Sequence, residues 1–163
     1  MLIREAVRGD LPRLMKIYAY ARRFMASTGN AHQWIDGYPS ETLIRQEIEA
    51  GHCHVCLGQG GQVVGVFCFI EGEDPNYARI EDGAWLNDRP YGTIHRLAAS
   101  GEEKGVADAW FRWGMERCPN LRADTHRDNR ILQHILCKYG FTYCGVIYVA
   151  NGTPRLAFQR SSF

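Results

Sequence analysis

The chain has 163 residues, 45% hydrophobic, 23% charged and 12% aromatic, the composition expected of one globular domain spanning residues 1–163. At this length folding buries roughly 70% of the surface an unfolded chain exposes, so a core can stand without disulfides or metal. Nineteen Lys and Arg against eighteen Asp and Glu leave a net charge of +1, without the basic excess that marks nucleic-acid or anionic-membrane partners. Met1-Leu2-Ile3 runs at once into Arg4-Glu5, unlike a signal peptide. The longest apolar run, Val63 to Ile70, falls far short of the roughly 20 residues that span a bilayer. A cytoplasmic chain with six reduced cysteines is expected.

In chain order, residues 2 to 7 form a weak strand. Asp10 is a good N-cap, with Pro12 in the first turn of a helix that ends near Ser27-Thr28-Gly29. Leu11, Leu14, Tyr18, Ala21 and Met25 make its apolar stripe. A second helix covers about 40 to 50, with Ser40 as cap and Gly51 as stop. His52 to Leu57 and Gln62 to Ile70 read as antiparallel strands joined by Gly58-Gln59-Gly60-Gly61. Glu71 to Asp88 is a loop with a helical turn begun by Asp74-Pro75, and Thr93 to Ala99 resumes a strand. A third helix runs from about Glu103 to Arg117, followed by a short strand at 121 to 125. The fourth helix is capped by Asp128, with Ile131, Leu132, Ile135, Leu136 and Tyr139 on its apolar face and Gly140 as terminator. Two strands, 141 to 149 and 155 to 160, close the order β-α-α-β-β-β-α-β-α-β-β.

The segment Ser100 to Ala107 joins a strand to a helix through two glycines. Such a turn aims backbone N–H groups and the positive end of a helix dipole at one point, a natural phosphate site. Asn129 opens the fourth helix, followed at fixed intervals by Leu132, Ile135, Lys138 and Gly140-Phe141. With the element order, this block resembles the GNAT family of acyl-CoA-dependent N-acetyltransferases. The opening Ile3-Arg4, Ala6 and Asp10-Leu11-Pro12 looks like that family's usual start. Glu102 to Ala107 is similar to its pyrophosphate motif, with Glu102 where Gln or Arg is usual.

The resemblance implies an α/β fold with a mixed, mostly antiparallel central sheet flanked by helices, and acetyl-CoA as co-substrate with no metal. Backbone N–H groups of Glu102, Glu103, Lys104, Gly105, Val106 and Ala107 would hold the pyrophosphate of coenzyme A. Leu97, Ala98 and Ala99 would pair with the pantetheine, with an N–H near Ala98 stabilising the oxyanion, and Asn129 would bond the pantetheine from the facing element. The implied reaction is direct attack of a small-molecule or peptide amine on the thioester. The expected partner is that amine, with a homodimer left open.

An attacking ammonium must first lose a proton. His95 is the leading base, set on one strand face with Leu97 and Ala99; Glu81 is the runner-up, and His126 is either a third candidate or a helix-capping group. Leu136 occupies the place where many relatives carry the tyrosine that protonates the thiolate. Tyr139 and Cys137 are the substitutes considered, Tyr139 being otherwise a core aromatic. Six acidic residues against Arg79 alone between Glu71 and Asp88 suit a cationic amine. Trp34, Tyr38, Tyr77, Trp85 and Tyr91 are candidate walls, and Glu81 a further substrate contact. The alternative is a solvated acidic loop over tucked aromatics. His52-Cys53-His54-Val55-Cys56 holds four ligand-type residues, but a strand splits them between two faces. The loss of the usual tyrosine motivates a competing reading, an acyl-CoA-binding regulatory module with weak or no catalysis.

Overall fold

A computed structural model describes residues 1–163. Seven strands, β1 (Leu2–Glu5), β2 (Cys53–Leu57), β3 (Val63–Glu71), β4 (Gly92–Ala99), β5 (Asn120–Thr125), β6 (Thr142–Tyr148) and β7 (Pro154–Ser161), form one sheet in the order β1-β2-β3-β4-β5-β7-β6. Every neighbouring pair is antiparallel except β4 with β5. Helices α1 (Leu11–Ser27) and α2 (Glu41–Glu49) cover one face, and α3 (Val106–Arg117) and α4 (Arg130–Lys138) the other. The element order is that expected from the strand and helix periodicities, and the mixed, mostly antiparallel sheet is the one implied by the resemblance.

The core divides accordingly. Leu14, Ile17 and Tyr18 of α1 pack on Val55, Val66 and Cys68, while Trp110 and Phe111 of α3 pack on Phe67, Ile94 and Leu121. Each such side chain contributes about 1.5–3 kcal/mol by leaving water. A smaller cluster of Tyr77, Tyr91, Ile147 and Ala157 lies under the long loop between β3 and β4. Phe158 joins the α3 cluster and its neighbour Ala157 the loop cluster, as strand alternation requires.

Several ends differ from expectation. Asp10 stands at the α1 N-cap, but its carboxylate bonds Arg4 (2.8 and 3.0 Å) and the Val7 N–H (2.8 Å) rather than the helix. Helix α3 begins at Val106, three residues late, because Gly105 has φ +93° and cannot continue a right-handed helix. Asn129, not Asp128, caps α4: its Oδ1 accepts from the Leu132 N–H at 3.1 Å. Ile131, expected on the apolar face, is exposed. Ser40 caps α2 as expected, accepting from the Leu43 N–H at 3.1 Å.

Two features of β4 shape the molecule. Its parallel pairing with β5 is confined to Gly92 with Leu121 and Thr93 with Arg122, after which the strands part. Just beyond, Arg96 takes φ +53° and the β3–β4 register slips between Val66 and Cys68. This is a β-bulge, which bends a strand and increases its twist. Tyr18 Oη holds it by donating to the Arg96 carbonyl at 2.8 Å.

Candidate active site

The divergence of β4 and β5 opens a cleft of about 650 Å³ at the carboxyl ends of the two parallel strands, where open sheets take ligands. Its walls are the α1–α2 loop (Gln33 to Tyr38), the start of the β3–β4 loop (Gly72 to Asn76), β4 from Thr93 to Leu97, Ala123 and Asp124 of β5, Leu132 of α4, and the β6–β7 turn with Arg155.

Past the end of β4 lies the anion cradle. The N–H groups of Glu103, Lys104, Gly105 and Val106 have no acceptor within the chain, and α3 adds the positive end of its dipole. Left-handed Gly101 and Gly105 shape the turn; the Tyr20 hydroxyl occupies the space a Cβ at Gly101 would need. Glu102 is drawn aside into an ion pair with Arg13, which holds its carboxyl below the usual range. Glu103 accepts from the Gln59 N–H at 3.2 Å. Both carboxylates are thus tethered to neighbouring elements, and exposed Lys104 leaves its charge beside the N–H groups.

The bulge separates residues expected together. His95 lies opposite Cys68, on the α1–α2 side, whereas Leu97 and Ala99 pack toward α3. The shared face predicted for these three residues is therefore lost at Arg96. Ser100 donates to the Val64 carbonyl at 2.9 Å, so ladder alternation gives Ala98 to β3 and turns the N–H and C=O of Ala99 to the open edge.

His95 lines the cleft, but its Nε2 faces Arg96 Nη1 at 3.3 Å. Arginine only donates, so that nitrogen is the acceptor and its lone pair is taken. Burial and the Arg96 charge push the imidazole down to about 3. Arg96 also donates to Tyr38 Oη at 2.8 Å and faces Glu47 at 3.5 Å.

Asp124, absent from the sequence reading as a site, projects into the cleft from β5. It accepts from Tyr77 Oη at 2.6 Å, and burial raises its carboxyl, opposed by that hydrogen bond and by Arg155. Gln33 is the other residue missed. Its Oε1 accepts from Asn30 Nδ2 (2.9 Å), Thr125 Oγ1 (3.2 Å) and Asn129 Nδ2 (2.9 Å), and its carbonyl from Arg155 (2.9 Å). Asn129, capping α4 with one end and bonding Gln33 with the other, has its side chain engaged within the protein.

The remaining expected residues scatter. Trp34 and Tyr38 line the cleft, with ring centroids 6.2 Å apart. Glu81, Trp85 and Tyr91 do not: Glu81 bonds Arg79 and Tyr148 and bridges to Val146, Trp85 packs at a tilt against Tyr77 and face-on to the Arg122 guanidinium, and Tyr91 Oη accepts from the Asp74 N–H. Of the six loop acids only Glu73 and Asp74 reach the cleft. Tyr139 stacks on Phe111 at 5.2 Å and donates to Asp108 at 2.7 Å, outside the cleft. Leu136 is fully buried in the α3 cluster, Cys137 is exposed on α4, and His126 accepts from the Asp128 N–H at 3.0 Å.

A bulged, splayed parallel pair with an anion cradle at its end defines the acyl-CoA acyltransferase class of fold. An acetyltransferase of the GNAT family from Streptococcus agalactiae has the same architecture, with a TM-score of 0.89 and 33% identity over 99% of this chain and 95% of that one. The chain belongs to the GNAT family of acetyltransferases. A Listeria monocytogenes member (21% identity, TM-score 0.71, covering 98% and 93%) and a Sinorhizobium meliloti phosphinothricin acetyltransferase in complex with AcCoA (19%, 0.64, 98% and 86%) share the fold. No protein-family model and no curated protein sequence matches the chain. No helix is long and apolar enough to cross a membrane.

Proposed function

We propose that this protein transfers an acetyl group from acetyl-CoA to the primary amine of a small molecule or peptide by direct attack. The observation that carries this is the continuity of the N–H cradle at 103–106 with the open edge of β4 and the cleft beyond it. The pyrophosphate lies on the cradle with Lys104 beside it, and the pantetheine runs along β4. The outward N–H of Ala99 is the donor available to the pantetheine or the thioester oxygen. The Sinorhizobium enzyme with bound AcCoA supports acetyl-CoA as the acyl donor.

In the cleft Asp124, rather than His95, is the proton acceptor, since the Nε2 lone pair of His95 is occupied and its basicity low. The ammonium gives a proton to the Asp124 carboxylate, the freed amine forms the N–C bond, and the C–S bond breaks. The thiolate leaves without a tyrosine donor and takes up, through water, the second proton that the nitrogen sheds as the amide forms. Thermal unfolding with saturating acetyl-CoA, followed by thiol release across an amine panel, tests the reading. A ligand specific for the native state must raise stability, so an unshifted melting temperature would count against it. Acetyl-CoA binding with no turnover on any amine would favour the regulatory module.

A further inference from the structure

Two opposite charges line the same wall of the cleft without a direct bond between them. Arg155 is 6% exposed yet has no acidic partner. Its bonds go to Thr153 Oγ1 and the Pro154 carbonyl (3.0 Å each) and to the Gln33 carbonyl (2.9 Å). Asp124 has no cationic partner and bonds only Tyr77. Asp124 lies opposite Ala157 in the β5–β7 ladder, and Arg155 is two residues along β7. The two therefore share a sheet face as diagonal neighbours, with Cα atoms about 7–8 Å apart. A buried charge with no direct ionic partner is costly. On the same face of β4, Thr93 is 1% exposed, lines the same cleft, and its Oγ1 has no partner.

We infer that the acceptor is a free α-amino acid, its ammonium on Asp124 and its carboxylate on Arg155, with the Thr93 hydroxyl as a further donor. Both groups flank one carbon, so a single small ligand spans the gap and neutralises both residues. Trp34, Ile35, Ile70 and Val149 then surround the side chain, which favours an apolar or aromatic one. The inference rests on the reading of this cleft as the acceptor site.

The test compares L-phenylalanine, L-leucine and L-methionine with their amides and with phenethylamine, 3-methylbutylamine and 3-(methylsulfanyl)propylamine. Loss of one partner of a buried charge pair, or of a bond a site is built to make, predicts that each acid exceeds its amide and amine by about 100-fold or more in kcat/KM. In Arg155→Gln that ratio falls toward 1, and Arg155→Lys is intermediate; acetyl-CoA binding serves as the folding control. An amide or amine that matches its acid overturns the inference and leaves acetyl transfer standing. If acetyl-CoA binds but nothing turns over, calorimetric titration of the coenzyme-A-loaded protein decides: binding of acids but not amides supports the inference, and binding of no acid overturns it. Failure to bind acetyl-CoA defeats the acetyltransferase reading instead, and the same titrations on the free chain still decide.

Discussion

Arg96 Nη1 donates to His95 Nε2 at 3.3 Å, and that bond removes His95 from the role its position on β4 suggests. The imidazole is held neutral beside a fixed positive charge, so a proton placed on it would face both burial and Arg96. Asp124 has the opposite environment, a carboxyl raised by burial in the cleft. His95→Gln is therefore expected to keep kcat within about 3-fold, whereas Asp124→Asn loses about 100-fold or more, the usual span of general-base catalysis. Steady-state kinetics of the two variants checks this; the reverse ranking would restore the histidine.

The same histidine sets a pH dependence of stability. Its folded value is about 3 against an unfolded value of 6.5. Between those limits the unfolded chain binds a proton the folded chain refuses. Stability is then complete above about pH 6.5 and declines toward pH 3, by at most about 1.4 kcal/mol per pH unit. His54, pushed down by burial between Phe67 and Trp113, acts in the same sense. Asp124, with its carboxyl raised, acts in the opposite one. Urea unfolding from pH 4 to 8 should show a shallower decline in His95→Gln than in the parent; equal slopes would reject the assignment.

Much of the fold was legible because local periodicity and punctuation carry it: α1, the 53–71 hairpin and the Gly140 stop all announce themselves. The turn at 101–105 was marked by its two glycines, but glycines before a helix are common, and only the Asn129 to Phe141 block gave that turn a meaning. The acceptor side was not. Glu81, Trp85 and Tyr91 occupy a loop whose path is set by a bridge to Val146 and by stacking around Arg122, and no sequence spacing encodes those contacts. Gln33 and Arg155 meet across 122 residues. The Arg96 bulge, on a non-glycine residue, inverted the facing of Leu97 and Ala99 relative to His95 without any local signal.

The cradle predicts a separable effect on the coenzyme. A Cβ at Gly105 meets open space, but φ +93° is strained for any L side chain. Gly105→Ala should cost about 1–2 kcal/mol of stability and, by rotating the adjacent N–H groups, weaken acetyl-CoA by about 10-fold. Acceptor KM at saturating acetyl-CoA should change little. Lys104→Ala should weaken acetyl-CoA less and flatten its dependence on salt, because an exposed charge is screened. Calorimetry at two ionic strengths separates these effects.

Leu136 offers a test of the missing general acid. The side chain is fully buried among Phe111, Phe141 and Phe158, so it fills core rather than facing the cleft. Leu136→Tyr should not accelerate thiolate departure. It should instead overpack the cluster and cost about 1–3 kcal/mol, read as a lower melting temperature. A rise in kcat with unchanged stability would show that this position reaches the leaving group.

Gln33 should control the acceptor through the groups it holds. One carbonyl oxygen of its side chain gathers Asn30, Thr125 and Asn129, while its main-chain carbonyl holds Arg155. The α1–α2 loop, carrying Trp34 and Tyr38, is thereby tied to β5, α4 and β7. Gln33→Ala leaves three donors to find new partners, at about 1–3 kcal/mol for each that stays buried and unpaired. The loop wall and the Arg155 fork should loosen together. The acceptor KM is expected to rise about 10-fold or more while acetyl-CoA affinity, set mainly by the cradle past the end of β4, stays within about 2-fold. Paired measurement of the two constants distinguishes this from general destabilisation, which would weaken both ligands alike.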